Sequence, residues 1–230
     1  MRWAALLALA AACGGEISGA ERGEEVFADR DLSPSDLNVF SCATCHTADE
    51  GPGPTDGLPG YRLFGVAART RYWGDDYGLL KDAVDACLVF FMKGEPLVAE
   101  DEDFHALYEY LLSITPDGAA GEPYAFTVVE NVEDVPRGDA GRGGEVYQRA
   151  CQGCHGEAFT ADGSILREEV NLPGVTDTYG EEFPGVDPSL VVIEKVRHGR
   201  FFDIGGDMPL FSTEAMSDAD LGALLAFLEL

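Results

Sequence analysis

Two short motifs of cysteine and histidine are the residues of this sequence most able to do chemistry. They span residues 42–46 (CATCH) and 151–155 (CQGCH), each in the order C-x-x-C-H. The motif residues are Cys42, Cys45 and His46 in the first copy and Cys151, Cys154 and His155 in the second. On one turn of helix, two thiols at this spacing can reach the two vinyl groups on one edge of a porphyrin and form thioethers. The imidazole that follows can then bind the iron, so the pattern predicts two sites of covalent haem c attachment.

The same cysteine spacing also occurs in two other kinds of site. A redox-active C-x-x-C pair is expected in a βαβ context, and half of a zinc site needs four ligands close together. Neither context is visible in this sequence. Two copies of the complete motif in one chain therefore favour haem attachment over both alternatives.

The sequence that leads into each motif is repeated. Residues 22–27 read RGEEVF and residues 142–147 read RGGEVY, so each motif follows a short helix start with an apolar and aromatic end. The first copy then carries an insertion before its cysteines, residues 28–41 (ADRDLSPSDLNVFS). The repeat indicates that the two halves of the chain share one structural plan.

Each half also closes with a predicted helix. Residues 104–111 (FHALYEYL) and 221–228 (LGALLAFL) have apolar residues at i, i+3, i+4 and i+7, the spacing of one helix face. Ser217 with Asp220 is expected to cap the second copy. A further helix is predicted before each, over residues 79–91 and 189–198, and strand signals are weak throughout. The pattern predicts an all-α chain with two tandem helical domains, in which a large apolar cofactor supplies part of a small core.

The predicted domain boundaries follow from composition. Residues 116–140 are rich in turn formers and acids and carry no helical apolar stripe, so they are expected to form a linker. The first haem c domain then spans residues 21–115 and the second spans residues 141–230.

The N-terminus reads as a targeting segment. Residues 1–12 carry Arg2 and an apolar run that is too short to span a bilayer, which predicts a signal peptide. Residues 9–14 (LAAACG) resemble a bacterial lipoprotein signal with Cys13 as the lipid-bearing first residue of the mature chain, although Ala10 replaces the usual leucine. Ordinary cleavage beside Ala12, with Cys13 left as a spare thiol, is the alternative. Both predict export to the bacterial periplasm or cell envelope.

The charge of the chain restricts its partners. The sequence has 42 acidic and 15 basic residues, a formal net charge of −27. Such a surface repels nucleic acid phosphates and anionic lipid head groups, which excludes nucleic acid binding. We expect a redox partner protein with a basic docking face, and contact with a membrane only through the lipid anchor.

The two motifs and the duplicated helices resemble the class I cytochrome c superfamily in a dihaem form, over nearly everything after residue 20. The resemblance implies a methionine on the loop before the last helix as the sixth iron ligand. Met208 lies in such a loop, in residues 205–209 (GGDMP), 53 residues after His155. It is therefore predicted to ligate the second haem. Met216 is the competitor, but it abuts the cap residue Ser217, where a side chain is expected to pack.

The sixth ligand of the first haem has two candidates. Met92 lies 46 residues after His46, so the duplication places it near the position of Met208 and predicts His46/Met92 ligation. Residues 80–97, however, also resemble the first haem domain of thiosulfate dehydrogenases and related sulfur-oxidising cytochromes. That resemblance implies that Cys87, five residues before the methionine, binds the iron as a thiolate. A plain buried helix cysteine, or one paired with Cys13, is the remaining alternative.

The choice of ligand separates the functions that the sequence leaves open. A neutral thioether favours ferrous iron, whereas a thiolate stabilises ferric iron and suits a catalytic centre. The expected function is single-electron transfer between redox partners, with no bond made or broken. The alternative is a thiosulfate dehydrogenase-like enzyme with the His46/Cys87 haem catalytic and the His155/Met208 haem as relay. A third reading is a haem subunit of a larger oxidase or dehydrogenase.

Other residues near the predicted haems are expected to have secondary roles. His105 is expected to face solvent, and His198 to make a loop or propionate contact. Arg69, Arg71 and Lys81 are scarce positive charges near the first haem segment. They are expected to pair with propionates or to receive an anion such as thiosulfate.

Overall fold

The computed structural model of the chain describes residues 17–55, 57–119, 121, 123–160, 162–164, 171–199 and 208–230. The predicted signal peptide and Cys13 lie outside the described residues. Within those residues the fold is helical and contains no β-strand beyond two isolated bridges. The predicted all-α fold class is thus confirmed. No described helix is both long enough and apolar enough to cross a bilayer.

Each half of the chain folds into a helical lobe. In the first lobe, residues 17–115, the helices are α1 (Gly19–Ala28), α2 (Cys42–Cys45), α3 (Leu80–Phe90) and α4 (Glu102–Ser113). In the second lobe, residues 140–230, they are α5 (Ala140–Ala150), α6 (Gln152–His155), α7 (Tyr179–Glu182), α8 (Pro188–His198) and α9 (Asp218–Phe227). The four helices expected from apolar periodicity are α3, α4, α8 and α9.

The first and last long helices of each lobe cross at a glycine. A Cβ on Gly23 of α1 would lie 1.9 Å from the carbonyl oxygen of Ala106 in α4. A Cβ on Gly143 of α5 would lie 2.0 Å from the carbonyl oxygen of Ala223 in α9. Only a residue without a side chain permits either approach, so the same packing device occurs in both lobes.

An aromatic pair next to each crossing repeats as well. The ring centroids of Phe27 and Tyr110 are 5.5 Å apart in the first lobe. Those of Tyr147 and Phe227 are 5.6 Å apart in the second, with a similar tilt. Tilted aromatic pairs at this distance stabilise beyond the area that they bury. The duplication seen in the sequence therefore extends to the contacts that hold each lobe together.

Side-chain caps fix where three of the four crossing helices begin. Ser18 and Glu21 form a capping box at α1, and Asp139 accepts from the backbone N–H of Arg142 at α5. At α9, Ser217 accepts from the backbone N–H of Asp220 at 3.1 Å, as the sequence predicted. These caps satisfy N–H groups that the first helical turn leaves without partners.

Each lobe has its own apolar core. The most buried residues of the second core lie on α8 and α9 and include Ile193, Leu221 and Leu225. The first core is built around Val26 and Leu88, and it also receives Cys154 of the second lobe. The two lobes are therefore in contact at a predicted haem attachment residue.

Candidate functional site

The first lobe encloses a cavity with about 1400 Å³ of empty space, counting the part open to solvent. Its lining is mainly apolar, and it includes every first-lobe residue that the sequence singled out for haem binding. These residues are Cys42, Cys45, His46, Cys87 and Met92. Residues up to 50 positions apart in the chain thus share one concave, apolar space, as a porphyrin site requires.

His46 is held in the orientation of a metal ligand. It ends α2, and its Nδ1 atom lies 2.8 Å from the carbonyl oxygen of Tyr61. A carbonyl oxygen can only accept, so Nδ1 carries the proton and Nε2 keeps its lone pair. Burial lowers the pKa of His46, which favours the neutral imidazole that binds a metal. A backbone carbonyl is a common partner for the second nitrogen of a metal-bound histidine.

Gly60 fits against the ring of His46. A Cβ at this position would lie 2.5 Å from both Cε1 and Nδ1 of the imidazole. The backbone N–H of Gly60 also donates to the carbonyl oxygen of Cys45 at 3.0 Å. The sequence does not predict that Gly60 contacts the histidine, because the dipeptide Pro59-Gly60 indicates only an ordinary turn.

The motif thiols are free, and burial raises the pKa of each of them above that of an ordinary cysteine. Burial raises the pKa of Cys42 to about 11 and those of Cys45 and Cys151 to about 12. They are therefore available for covalent attachment rather than joined as disulfides. Among the residues that the structure describes, no three His, Cys, Asp or Glu side chains form a cluster that could hold a bare metal ion.

Both candidates for the sixth ligand line the first cavity. The carbonyl oxygen of Cys87 accepts from the backbone N–H of Phe91 at 3.1 Å and from that of Met92 at 3.2 Å. Met92 is only 3% exposed, and its carbonyl oxygen accepts from the Ser33 hydroxyl at 2.6 Å. The insertion 28–41 thus holds the methionine segment. Burial, followed by the nearby motif thiols, raises the pKa of Cys87.

Two of the three basic residues near the first motif reach the cavity. Arg69 and Arg71 line it, whereas Lys81 pairs with Asp85 on α3. Arg69 donates to the carbonyl oxygen of Arg62 at 2.5 Å and lies 4.4 Å from the ring centroid of Tyr124. Burial lowers the pKa of Arg69. It remains cationic, because an arginine is not deprotonated in proteins, and the cavity wall therefore carries a fixed positive charge.

The cavity is covered by parts of the chain that lie outside the first lobe. Pro123, Tyr124 and Phe126 of the linker line it, and so do Pro209 and Leu210 of the second lobe. Before Ala140, where α5 begins, the described residues of the linker form no helix or strand. Tyr124 and Phe126 line the first cavity, and Thr127 bonds to Glu214 of the second lobe. The sequence analysis treated this segment only as a connection and missed its contribution to the cavity.

A buried hydrogen-bond network joins the lobes at Tyr61. The Tyr61 hydroxyl donates to the carbonyl oxygen of Ala125 at 2.6 Å and accepts from the hydroxyl of Ser212, 2.9 Å away. Close by, Glu214 accepts from the backbone N–H and hydroxyl of Thr127 at 2.9 and 2.6 Å. These hydrogen bonds outweigh burial and lower the pKa of Glu214 to about 2. The linker and both lobes therefore meet in one network.

The second motif lies on α6 against the core of its own lobe. Cys151 is 6% exposed, and the carbonyl oxygen of Cys154 accepts from the Ser164 hydroxyl at 3.0 Å. Met208 is half-buried against the same core, and Gly199 allows its backbone to approach, since a Cβ there would lie 2.4 Å from the Met208 carbonyl oxygen. Residues 165–170 and 200–207, which also belong to this lobe, lie outside the described residues.

A buried arginine holds the segment that follows Met208. Arg197 of α8 is 2% exposed and donates to the carbonyl oxygen of Met216 at 2.7 Å and to Asp218 at 2.7 Å. It also reaches the carbonyl oxygens of Phe211 and Ser212, at 3.3 and 3.4 Å. Met216, the competing methionine, is itself 3% exposed in the core. No motif or spacing in the sequence singles out Arg197.

The two histidines outside the motifs have other surroundings. His105 is exposed on α4. His198 pairs with Glu194 through Nδ1, and its Nε2 lies 2.5 Å from the carbonyl oxygen of Val129 in the linker. His198 is therefore a loop contact, one of the two roles that the sequence predicted.

The second lobe matches a known protein family. Residues 138–228 match the family described as cytochrome C oxidase, cbb3-type, subunit III. The second half of the chain therefore contains a cytochrome c domain. A domain of this family binds haem c covalently and carries electrons, and its range contains the second motif and Met208. The residues present fit that cofactor, since the free thiol of Cys151 precedes α6 and the free thiol of Cys154 and the imidazole of His155 lie on it.

Other comparisons add little about this cytochrome. No curated protein matches its sequence. Among solved structures it is similar to thiosulfate dehydrogenase (TsdBA) from Marichromatium purpuratum in its as-isolated form, with 13% sequence identity and a TM-score of 0.43. The alignment covers 91% of this chain and 45% of that chain, so the cytochrome spans less than half of its length. A similarity of this degree bears on neither activity nor substrate.

Proposed function

We propose that this cytochrome is an exported dihaem electron carrier that passes single electrons between redox partners in the bacterial cell envelope. The observation that carries the proposal is the first cavity, in which His46, two free thiols and two candidate sulfur ligands meet. The helix crossing at Gly23 matches the one at Gly143 in the cytochrome c domain, which supports a second domain of the same kind. The chain then comprises haem c domains at residues 21–115 and 141–230.

Bound haem c supplies the one-electron chemistry of its iron. The chain attaches it through the motif cysteines and provides His46 and His155 as proximal ligands. Tyr61 fixes the His46 ring through its carbonyl oxygen, so that the lone pair of Nε2 stays available. The apolar lining excludes water, and Arg69 offers a positive charge to a propionate. Met92 and Met208 are our proposed sixth ligands, and neither needs a proton to be gained or lost during electron transfer.

The proposed partner is a protein with a basic docking face. The net charge of −27 supports electrostatic attraction to such a face. Association should therefore weaken as ionic strength rises, which stopped-flow electron transfer to a basic cytochrome partner at several salt concentrations would measure. The lipid anchor at Cys13 would keep the protein at a membrane of the envelope.

A count of haems tests the proposal directly. A pyridine haemochrome assay and intact mass of protein matured in a host with cytochrome c biogenesis should give two covalent haems per chain. A single haem would reject the dihaem carrier. Near-infrared and magnetic spectra of the ferric protein should then show two thioether-ligated irons, whereas one thiolate-ligated iron would reject Met92 as the ligand.

The second candidate function is a thiosulfate dehydrogenase-like enzyme. It is supported by the position of Cys87, which lines the same cavity as His46 and Met92, and by Arg69 and Arg71 in the cavity wall. In that case thiosulfate added to the oxidised protein should reduce its haems, and Cys87→Ala should abolish the reduction. Met92→Leu, which changes the neighbouring sulfur, is the matched control. Absence of reduction in the unmodified protein would favour the carrier.

A third possible role, as a subunit of a larger oxidase or dehydrogenase, can be distinguished experimentally from the carrier and from the enzyme. Purification from the native membrane under mild detergent would retain a stoichiometric partner complex in that case. An isolated chain that still exchanges electrons with small redox proteins would support the independent carrier.

A further inference from the structure

We infer that residues 208–212, the shared loop, serve both haem sites at once: Met208 faces the second site while Leu210 closes the first. The second lobe then sets the solvent exposure, and so the reduction potential, of the haem in the first lobe. The inference deepens the proposed function and rests on it, because it requires a haem in each lobe.

The shared loop is short enough to join the two sites. Leu210 lies two residues after Met208, and two extended residues span at most about 7 Å. Met208 packs against the core of the second lobe, whereas Pro209 and Leu210 line the cavity of the first. Neighbouring side chains of one segment therefore contact the core of the second lobe and line the cavity of the first.

The shared loop is anchored from both sides at Ser212. Ser212 is 1% exposed, and its hydroxyl bonds to the hydroxyl of Tyr61, whose carbonyl oxygen in turn accepts from His46. The carbonyl oxygen of Ser212 accepts from Arg197 of the second lobe at 3.4 Å. The loop is thus attached to the residue that orients the first proximal histidine and to the arginine that holds the second methionine segment.

The position of Leu210 has a physical consequence for the first haem. An apolar side chain over a haem edge excludes water and lowers the local dielectric. Oxidation places additional positive charge on the iron, and an apolar surrounding disfavours that charge. A polar group or water in place of Leu210 should therefore lower the reduction potential of the first haem, although the changed residue belongs to the second lobe.

The test is a spectroelectrochemical titration of the full-length protein loaded with haem. Leu210→Ser should shift the first haem to a lower potential than in the unmodified protein. The matched control is Leu190→Ser, a half-buried leucine of the second lobe that packs on its own core and does not line the cavity. Leu190→Ser should leave the potential of the first haem unchanged. The two titration steps are assigned with Cys151→Ala/Cys154→Ala, a variant that should lack the second haem and leaves the residues of the shared loop unchanged.

If Leu210→Ser does not fold, a second pair of variants tests the same inference. Tyr61→Phe removes the hydroxyl that fastens the loop and should lower the potential of the first haem in the same direction. Tyr72→Phe is its control, since Tyr72 lines the same cavity but, among the described residues, its hydroxyl bonds within the first lobe, to the carbonyl oxygens of Val66 and Arg69.

The outcomes separate the inference from the proposed function. Two haems with a first-haem shift in Leu210→Ser or Tyr61→Phe, but not in the controls, support the shared loop. Two haems with no such shift in either variant overturn it and leave the dihaem carrier intact. A single haem per chain overturns both.

Discussion

The two lobes repeat one packing solution but support their methionines differently. In both, a glycine on the first helix allows close contact with the last helix, beside an aromatic pair. Met92, however, is held by Ser33 from an insertion, whereas the segment after Met208 is held by the buried Arg197. The crossing depends on backbone shape and is the same in both lobes. The segments that carry Met92 and Met208 depend on separate contacts, so we expect the two proposed haem sites to differ in stability and potential.

The largest predicted effect is the loss of one haem from a variant that keeps the other. It tests whether the two lobes attach haem separately. Cys42→Ala with Cys45→Ala should remove the first haem and leave the second, and Cys151→Ala with Cys154→Ala should do the reverse. The physical reason is that thioether attachment requires the thiols of one motif only. Intact mass of each variant measures the result. Loss of both haems from one pair of substitutions would mean that the lobes do not mature independently.

The next prediction compares how much the contacts of the two methionine segments contribute to the free energy of unfolding. Arg197→Met should lower the free energy of unfolding of the second lobe by about 3 kcal/mol, because three carbonyl oxygens and Asp218 lose a buried charged donor. Ser33→Ala should destabilise the first lobe by only about 1 kcal/mol, since one carbonyl oxygen loses a neutral donor.

Urea unfolding followed at the absorbance of each haem distinguishes these two values. Arg22→Met, which removes an exposed arginine with pairs to Glu25 and Asp103, is the control and should leave the free energy of unfolding nearly unchanged, because exposed ion pairs contribute little. Equal effects of Arg197→Met and Ser33→Ala would contradict the asymmetry.

A somewhat smaller and symmetrical effect is expected at the helix crossings. Gly23→Ala and Gly143→Ala should each lower the free energy of unfolding of their lobe by about 2 kcal/mol, since the new methyl group meets backbone rather than a flexible side chain. Gly144→Ala is the control: its Cβ would lie 3.3 Å from the ring of Phe227, which can adjust. Alanine is also the better helix former by about 1 kcal/mol, so Gly144→Ala should be neutral or stabilising. Thermal unfolding of the three variants provides the measurement.

The smallest effect concerns how the linker attaches to the second lobe as pH changes. Burial lowers the pKa of His198, but its hydrogen bonds to Glu194 and Val129 raise it more, so the pKa lies above the ordinary 6.5. Both ring nitrogens face acceptors, so the cation satisfies both. The contact is complete below pH 6.5 and is lost as pH rises through the raised pKa. We expect it to contribute about 1 kcal/mol.

Hydrogen exchange of the linker between pH 5 and 9 tests this contact. Protection around Val129 should fall with rising pH, after correction for the intrinsic exchange rate. His198→Ala should flatten the profile, whereas His105→Ala, on an exposed face, should leave it unchanged. Glu214 does not titrate in this range, because its pKa is lowered to about 2 and its contribution is lost only as pH falls from 4.5 towards that value. An unchanged profile in His198→Ala would reject the assignment.

The fold was largely predictable because its signals are local. Apolar periodicity located α3, α4, α8 and α9, and the repeated residues before each motif located the crossing helices. The residues of the first cavity were also predictable, since the motif residues, Cys87 and Met92 carry recognisable spacing. Which of Cys87 and Met92 binds the iron stays a prediction, because both line the same space.

What the sequence could not reveal depends on contacts between distant residues. Tyr61 and Ser212 are 151 positions apart, and neither stands in a motif. In the sequence, Gly60 looks like an ordinary turn glycine and Leu210 like an ordinary loop leucine. Only the structure shows that Gly60 contacts His46 and that Leu210 lines the cavity of the other lobe. Local pattern shows that a residue is apolar or polar, but it does not show which surface will bury it.

The cover formed by Pro209 and Leu210 also bears on biogenesis. A rigid macrocycle cannot pass through a lid that is already closed, so attachment at the first motif should precede docking of the C-terminal half. The long connecting segment would keep the halves apart until the maturation enzymes have finished. Because residues of the C-terminal half cover the first cavity, the order of haem attachment and folding should follow the order of the chain.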